Sequence, residues 1–323
     1  MPDVLFVVDG SVVSPVRMVS AHKELTRRGL QSAVISYDQM PQVDPKSYKT
    51  VIFQRPIMDM HDAFDACRAF GIRTVVDIDD DYSAIPKDHP NWQTYASPQP
   101  LSHWTGAIHE ADVVTVASLE LGRRLAEMNK NIVLVPNGWD DGNPRWWMTN
   151  WRQTVNIGFA GTSTHREDVK LCLPAMARVA SENKDVKIVI GGDDWVYKRL
   201  VKLPESKKMF IPGLPYDDYP FMLCFMDILC VPLLDTNFTR AKSDIKLVDA
   251  GARGIPWAAS LVEPYRNWPA GGKYANNEQN WYDLLSMLVK DEQLRQCLGE
   301  AGHEAALERT FEKISEIWMG ILK

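Results

Sequence analysis

Three short stretches of this 323-residue chain set chemistry-bearing residue types at informative spacings. The first is Arg240–Ser260, RAKSDIKLVDAGARGIPWAAS. Read as a helix over Ser243–Arg253 stopped by Gly254, it puts Lys242, Lys246 and Asp249 at i, i+4 and i+7, on one face. Ser243 then stands at the helix start, where unbonded N–H groups and the positive end of the dipole favour an anion. Two lysines and a hydroxyl there suit a diphosphate, and a carboxylate two turns on suits the vicinal hydroxyls of a ribose. The plainer alternative is an amphipathic helix whose Lys and Asp face water.

The second stretch is Gly158–Asp168, GFAGTSTHRED. A strand ending at Gly161, followed by Thr162 and Ser163, offers backbone N–H and hydroxyl donors to a phosphate, with His165 near enough to bond a phosphate or a sugar. Neither G-x-G-x-x-G nor a phosphate loop with G-K-[ST] is present, and Thr164 with Glu167 also fits a capping box. The third is Asp77–Asp81, DIDDD. Crowded carboxylates repel, so at least one is expected to titrate high, as a general base needs. Asp79, Asp80 and Asp81 are the candidates, while strand alternation turns Asp77 away from Asp80. Such a cluster also suits Mg²⁺ or Mn²⁺, a role that is open but not favoured. His61, His89, His103 and His109 lack H-x-x-x-H spacing, which disfavours zinc, and no G-x-S-x-G elbow exists.

The elements that must position these residues alternate strand and helix, the mark of parallel sheets covered on both faces. In the first half, strands are expected at Asp3–Asp9, Ser32–Ser36, Thr50–Gln54, Arg73–Ile78, Ala111–Ala117 and Asn131–Pro136. Helices are expected at Ser14–Arg28, His61–Phe70 and Leu119–Asn129. The second half repeats the alternation. Its expected strands are Val155–Ala160, Val186–Ile190, Lys208–Ile211, Asp227–Pro232 and Pro256–Ser260, and its expected helices Arg166–Asn183, Pro220–Phe225, Ser243–Arg253, Trp281–Val289, Asp291–Arg309 and Phe311–Lys323. Two open, Rossmann-like α/β units facing a cleft are the expected architecture, with ligands beyond the carboxyl ends of the strands.

Composition bounds the function. With 36 Lys+Arg against 42 Asp+Glu the chain carries −6, which argues against binding nucleic acid or anionic membrane by bulk charge. Residues 1–140 hold 13 basic and 18 acidic side chains, net −5, leaving −1 for the rest. No apolar run approaches the roughly 20 residues a membrane span needs, and the first residues do not read as a secretory signal. Five scattered cysteines (Cys67, Cys172, Cys224, Cys230, Cys297) without a C-x-x-C pair fit a reducing cytoplasm. Eleven tryptophans are a surplus. Trp139, Trp146, Trp147 and Trp151 gather near the expected domain junction, and Trp318 lies on the expected last helix. Trp92 and Trp104, flanking the segment after the acidic cluster, are candidates to stack on an acceptor.

These residues also carry a resemblance. The stretch 111–140, ADVVTVASLELGRRLAEMNKNIVLVPNGWD, is similar to the end of the first domain in family-4 glycosyltransferases of the GT-B fold. IGFAGTSTH (157–165) resembles the opening of their second domain. FIPGLPYDDYPFMLCFMDILCVPL (210–233) and KSDIKLVDAGARGIPWAAS (242–260) resemble their nucleotide-sugar region, and VVDIDDDYSAIP (75–86) a subgroup with such an acidic stretch.

The resemblance implies an acceptor domain over 1–140, a nucleotide-sugar domain over 141–306, and a C-terminal helix, 307–323, returning to the first, so that Trp318 and the junction tryptophans are expected to pack across the junction. It implies hexosyl or pentosyl transfer from a UDP- or GDP-sugar to an acceptor hydroxyl, with no cofactor needed for donor binding. Asp249 falls where the family has the second Glu of its E-x7-E motif, on the ribose, and Ala241 where it has the first; Arg240, Lys242 or Asp244 are the substitutes nearby. Gly161–Ser163 match the loop beside the diphosphate, Lys242 and Lys246 supply positive charge, and 209–214, with Pro212 and Gly213, line the base. Gly10 and Ser11 match the first-domain loop facing the donor, with Arg17 behind. Asp79–Asp81 and His109 are then the expected catalytic groups near the acceptor. A glycan, lipid-linked sugar or small molecule is the expected acceptor and a modified DNA base the alternative. An epimerase or hydrolase, or a non-catalytic sugar-nucleotide-binding protein, are the competing readings.

Overall fold

Short apolar runs bounded by turn residues become strands throughout the computed structural model, which describes residues 3–11, 13–149 and 153–323. Trp151 lies outside the described residues. The chain divides into two compact units. Unit 1 comprises Met1–Gly138, Arg240–Ser243 and Thr310–Lys323, and unit 2 comprises Trp139–Thr239 and Asp244–Arg309.

Unit 1 holds strands β1 (Val4–Val8), β2 (Ser32–Ser36), β3 (Thr50–Gln54), β4 (Arg73–Ile78), β5 (Val113–Val116) and β6 (Ile132–Leu134). They form one parallel sheet in the order β2-β1-β3-β4-β5-β6. Every residue of β1, β3 and β5 is buried, as strands covered on both faces must be. The final helix, Phe311–Ile321, packs on helix Ser20–Arg27 within this unit. Its Trp318 is 1% exposed and meets the Phe6 ring edge-on at 6.3 Å.

Unit 2 holds β7 (Val155–Gly161), β8 (Val186–Gly192), β9 (Lys208–Pro212), β10 (Ile228–Val231), β11 (Trp257–Ser260) and β12 (Gly272–Ala275). Their order, β12-β11-β10-β7-β8-β9, is all parallel and is the dinucleotide-binding order of a doubly wound sheet. Period-2 alternation puts Ile188 and Ile190 into one apolar layer and Val189 into the other. Helix Ile245–Arg253 crosses helix Glu292–Leu307 at bare backbone: a Cβ on Gly251 would lie 2.4 Å from the Gly302 carbonyl. Two glycines therefore fix where the helix bearing Lys246 and Asp249 can sit.

Several expectations shift. The long helix expected over Arg166–Asn183 breaks at Cys172, because Pro174 lacks an N–H and is accommodated only in the first turn of helix Leu173–Glu182. The helix expected from Ser14 opens with one wide turn, Pro15–Val19. Helix Pro98–Glu110 is unforeseen: its prolines occupy the first turn, where no N–H is needed, and buried Trp104, Ala107 and Ile108 hold it to the core. The tryptophans do not form one junction cluster. Trp139, Trp146 and Trp147 pack among themselves and against His303 inside unit 2, while Trp318 belongs to the core of unit 1. No helix among the described residues is long and apolar enough to cross a membrane.

The final helix is thus a structural part of unit 1. Trp318→Ala should destabilise the protein by about 3–5 kcal/mol, the range for truncating a buried Trp. Urea unfolding followed by circular dichroism checks this, and a loss below 1 kcal/mol would contradict the buried position.

Candidate functional site

In a parallel sheet every loop after a strand leaves from the same edge, and a crevice opens where the strand order reverses. In unit 1 the reversal lies between β1 and β3. The turn after β1 is Asp9-Gly10-Ser11, with Gly10 at φ +71. The Asp9 carboxylate accepts from the Ser11 N–H at 3.0 Å and the Ser14 hydroxyl at 2.9 Å. Directly after β3 comes Arg55, at φ +49 the one described non-glycine residue with positive φ. Such backbone costs about 1–3 kcal/mol and persists only where its surroundings demand it. Its guanidinium, 8% exposed, makes a two-pronged bond to Asp79, donates to the Ser11 hydroxyl at 3.3 Å and lies 3.6 Å from Asp9. Arg55 was missed in the sequence, although its place just past a strand is the signal that should have singled it out.

The acidic run after β4 is a rack of ion pairs. Asp77, 1% exposed, takes Arg17 at 2.5 and 3.0 Å and the Thr115 hydroxyl at 2.7 Å. Asp79 takes Arg55, Asp80 takes Lys242 at 3.0 Å, and Asp81 takes Arg124 at 2.9 Å and the Ser83 hydroxyl. Asp77 does turn away from Asp80, but the expected high-titrating carboxyl among Asp79–Asp81 is corrected at Asp79. Burial pushes Asp79 up, yet the Arg55 guanidinium, helped by Arg17 and Lys242, outweighs it and holds the carboxyl below its ordinary value. Interleaved cations, invisible in a five-letter motif, reverse the effect of crowding.

Other unit 1 positions need correction. Arg17 is 3% exposed and spends its donors on Asp77, the Val135 carbonyl and Asn137, so it braces the rim from beneath and does not reach out to a donor. Trp104 has no exposed face for an acceptor; it packs on Tyr82 with ring centroids 5.4 Å apart. Trp92 is half-buried in the turn Trp92–Ala96. His109 is exposed near the end of helix Pro98–Glu110, just before β5 begins. That is the amino-terminal edge of the sheet, a strand length of roughly 20 Å from Asp79–Asp81. It cannot act with them.

In unit 2 the reversal lies between β7 and β10. There the Gly161 carbonyl accepts from the Asp193 N–H at 3.0 Å, and a Cβ on Gly192 (φ +94) would strike that carbonyl at 2.4 Å. Only glycine lets the two loops lie this close. Arg166 clamps Asp193 at 2.5 and 3.0 Å across the same gap. Thr162 and Ser163 are exposed on the loop. His165 bonds Asp168 through Nδ1 at 2.9 Å, and the other Asp168 oxygen accepts the Leu234 N–H at 2.8 Å, tying the loop after β7 to the segment after β10.

Helix Ile245–Arg253 begins later than expected, which separates the KSDIK residues. Lys242 and Ser243 precede the helix and belong to unit 1, where Lys242 pairs with Asp80 and the Ser243 hydroxyl accepts from Asn137 at 2.8 Å. The shared face of Lys242, Lys246 and Asp249 is corrected accordingly. Arg240, exposed, ends the turn before them. Asp244 precedes the helix, but its carboxylate is held by Arg309 at 2.6 Å and caps nothing, so the helix starts without a side-chain cap. Such an end is an anion site in waiting. Lys246, in the first turn, donates to the Ala160 carbonyl at 2.7 Å, beside the Gly161 loop. Asp249 is buried one turn on, with Tyr216 and Tyr219 of the segment after β9 close enough to feel its charge. Burial raises Asp249 to about 7, against the pull of Lys246 and a hydrogen bond from Tyr219. Pro212 and Gly213 are exposed where that segment leaves β9.

No protein-family model matches the chain, and no curated protein matches it in sequence. Solved structures do share its fold. Anabaena HepE, crystallised with UDP and glucose, is similar with a TM-score of 0.69 at 12% identity, covering 100% of this chain and 99% of that one. Sucrose-phosphate synthase from Thermosynechococcus elongatus gives 0.70 at 12%, covering 100% and 98%. A Listeria monocytogenes protein assigned as a UDP-N-acetylglucosamine 2-epimerase gives 0.62 at 12%, covering 99% and 95%. At this identity the likeness establishes the fold: two doubly wound α/β units, with the GT-B arrangement of elements along the whole chain.

The buried Asp249 has a measurable signature. A carboxyl raised from 3.8 to about 7 favours the folded chain at low pH, and that contribution is lost as pH rises through about 7. Relative to the parent, Asp249→Asn should therefore gain up to about 4 kcal/mol between about pH 4 and about pH 8. Thermal unfolding of both proteins across that range checks this; a pH-independent difference would contradict the buried carboxyl.

Proposed function

We propose that the chain is a glycosyltransferase that moves a hexosyl or pentosyl group from a nucleotide diphosphate sugar, UDP- or GDP-linked, to an acceptor hydroxyl. The observation that carries the reading is the unit 2 switch point, where the uncapped start of helix Ile245–Arg253, Lys246 and the Gly161–Ser163 turn converge. Backbone N–H groups and one lysine supply the positive field that a departing diphosphate needs as the bond from the sugar carbon to its oxygen breaks. Asp249 would accept from the ribose hydroxyls, and the 209–214 segment, followed by Tyr216 and Tyr219, would flank the base. That Anabaena HepE, with UDP and glucose bound, spans the same length of chain supports the donor class.

The division of labour follows the sequence: 141–306 as the donor domain, 1–140 as the acceptor domain and 307–323 as its returning helix. Gly10 and Ser11 would face the donor. A glycan, lipid-linked sugar or small molecule is the acceptor we favour, with a modified DNA base as the alternative. Donor binding would need no metal, since Lys246 and the helix end already supply charge, and each of Asp79–Asp81 already faces a cation. Five free thiols, four of them buried, fit a cytoplasmic setting.

The likeness to a protein assigned as an epimerase keeps one other reaction in view, in which the nucleotide sugar is consumed without an acceptor. Incubation with UDP-glucose or GDP-mannose alone separates the two, because a transferase should leave the donor largely intact until an acceptor is added. Lys246→Ala should stay folded and lose transfer by roughly 10²–10³-fold, the scale for removing one charge-stabilising donor. Unchanged turnover would sink the diphosphate assignment. Donor affinity should also rise with pH through about 7 as Asp249 ionises, and Asp249→Asn should flatten that dependence, both readable by titration calorimetry.

A further inference from the structure

We infer that His61, Asp65 and Glu110 form a transition-metal site, suited to Zn²⁺, that clips helix His61–Ala69 to the end of helix Pro98–Glu110 in unit 1. The site is separate from the transfer reading above. Glu110 stands just before β5 begins, at the amino-terminal edge of the sheet, whereas Asp79–Asp81 follow β4 at the carboxyl edge.

His61 and Asp65 are four residues apart on one helix, so both turn to the same side of it. Glu110 comes to meet them from the other helix. One donor atom from each of the three lies within 4.8 Å of the other two, and no other such trio occurs among the described residues. His61 Nε2 is 3.5 Å from Asp65 Oδ2, and its Nδ1 is 3.5 Å from Glu110 Oε1. Tetrahedral zinc, with bonds of about 2.0–2.2 Å, places its ligand atoms about 3.3–3.5 Å apart. Small rotations of surface side chains therefore close the set.

The carboxylates are already aimed. Arg68, one turn beyond Asp65, holds Asp65 Oδ1 at 2.5 Å and lies 3.5 Å from Glu110 Oε2. Those are the outer oxygens, so Oδ2 and Oε1 are left to face the imidazole, the service an outer-shell partner gives to metal ligands. The Asp59 carboxylate accepts from the His61 N–H at 3.0 Å and adds a third negative charge. With the imidazole neutral, three carboxylates against one guanidinium leave −2, the charge that a divalent cation cancels. His61 and Asp65 are exposed, which opens a path for the ion. Beside Arg68 and Glu110 a polar cavity of about 660 Å³ runs on past Arg73, Asp112 and Asn131, with room for the water that completes the coordination. One imidazole among the ligands favours Zn²⁺ over Mg²⁺ and Ca²⁺, which prefer oxygen alone. A search for H-x-x-x-H passes over this set, because its second ligand is a carboxylate and its third lies on another helix.

The test is calorimetric titration of the full chain, free of any affinity tag and dialysed against a chelator, with Zn²⁺ and separately with Mg²⁺. One Zn²⁺ per chain should bind with a Kd below about 100 µM, and Mg²⁺ should bind at least about tenfold more weakly. His61→Ala and Asp65→Asn should each weaken Zn²⁺ at least about tenfold. Both residues are at the surface, so the variants should fold, as circular dichroism checks. His109→Ala, which removes the exposed imidazole next to Glu110, should leave the affinity unchanged. Zn²⁺ should also raise the melting temperature of the parent and not that of His61→Ala. Three results would overturn the inference: no saturable binding below about 100 µM, Mg²⁺ bound as tightly as Zn²⁺, or Zn²⁺ affinity unaltered in both variants. The first would leave His61 a plain ion-pair partner of Asp65 and Glu110. UDP titration reads unit 2 alone, so failure of the donor reading and failure of this one are told apart.

Discussion

A carboxylate taken out of water must find a cation, and at the end of β4 this must happen four times within five residues. Asp77, Asp79, Asp80 and Asp81 draw their partners from four different segments: Arg17 in the turn Pro15–Val19, Arg55 directly after β3, Lys242 from the 240–243 segment, and Arg124 from helix Leu119–Leu125. Much of the rim of unit 1 follows from these pairings. Arg55 adopts positive φ, Arg17 is buried below the sheet edge, and a four-residue segment from the far side of the sequence packs with the first unit. The Ser118 hydroxyl bond to the Ala241 carbonyl at 2.6 Å holds the same segment from a second side.

Unit 2 solves the matching problem differently. Its switch point is made of backbone: glycines that let Gly161 and Gly192 touch, a helix start whose preceding Asp244 is diverted to Arg309, and one lysine bonded to a carbonyl. Unit 1 therefore presents charges that are already matched, whereas unit 2 presents N–H groups and a cation at the place where a parallel sheet opens. The asymmetry is the physical basis for proposing that an anionic donor would sit at unit 2. Within unit 2 the contact of Gly251 with Gly302 sets the height of helix Ile245–Arg253, so a packing contact near its other end governs where Lys246 stands.

The fold was largely legible because buried parallel strands are short apolar runs whose ends are marked by turn residues. Arg73–Ile78 and Thr50–Gln54 were read to the residue. Helix Pro98–Glu110 was not, because prolines read as breakers until a first turn gives them a place. Of the site, the Gly161 turn, Lys246 and Asp249 are brought together in unit 2. Lys242 and Ser243 were misplaced because a helix period was extended three residues too far back, across Asp244. Arg55 carries no motif, and its role exists only through Asp79, which is distant from it in sequence. Ion-pair partners between segments are the information that local spacing does not hold.

Whether a nucleotide diphosphate sits at the switch point of unit 2 can be read from hydrogen–deuterium exchange with and without UDP. Bound UDP should slow exchange at 158–165, 191–193 and the first turn of helix Ile245–Arg253. Protection confined to unit 1, or no protection at saturating UDP, would contradict that placement.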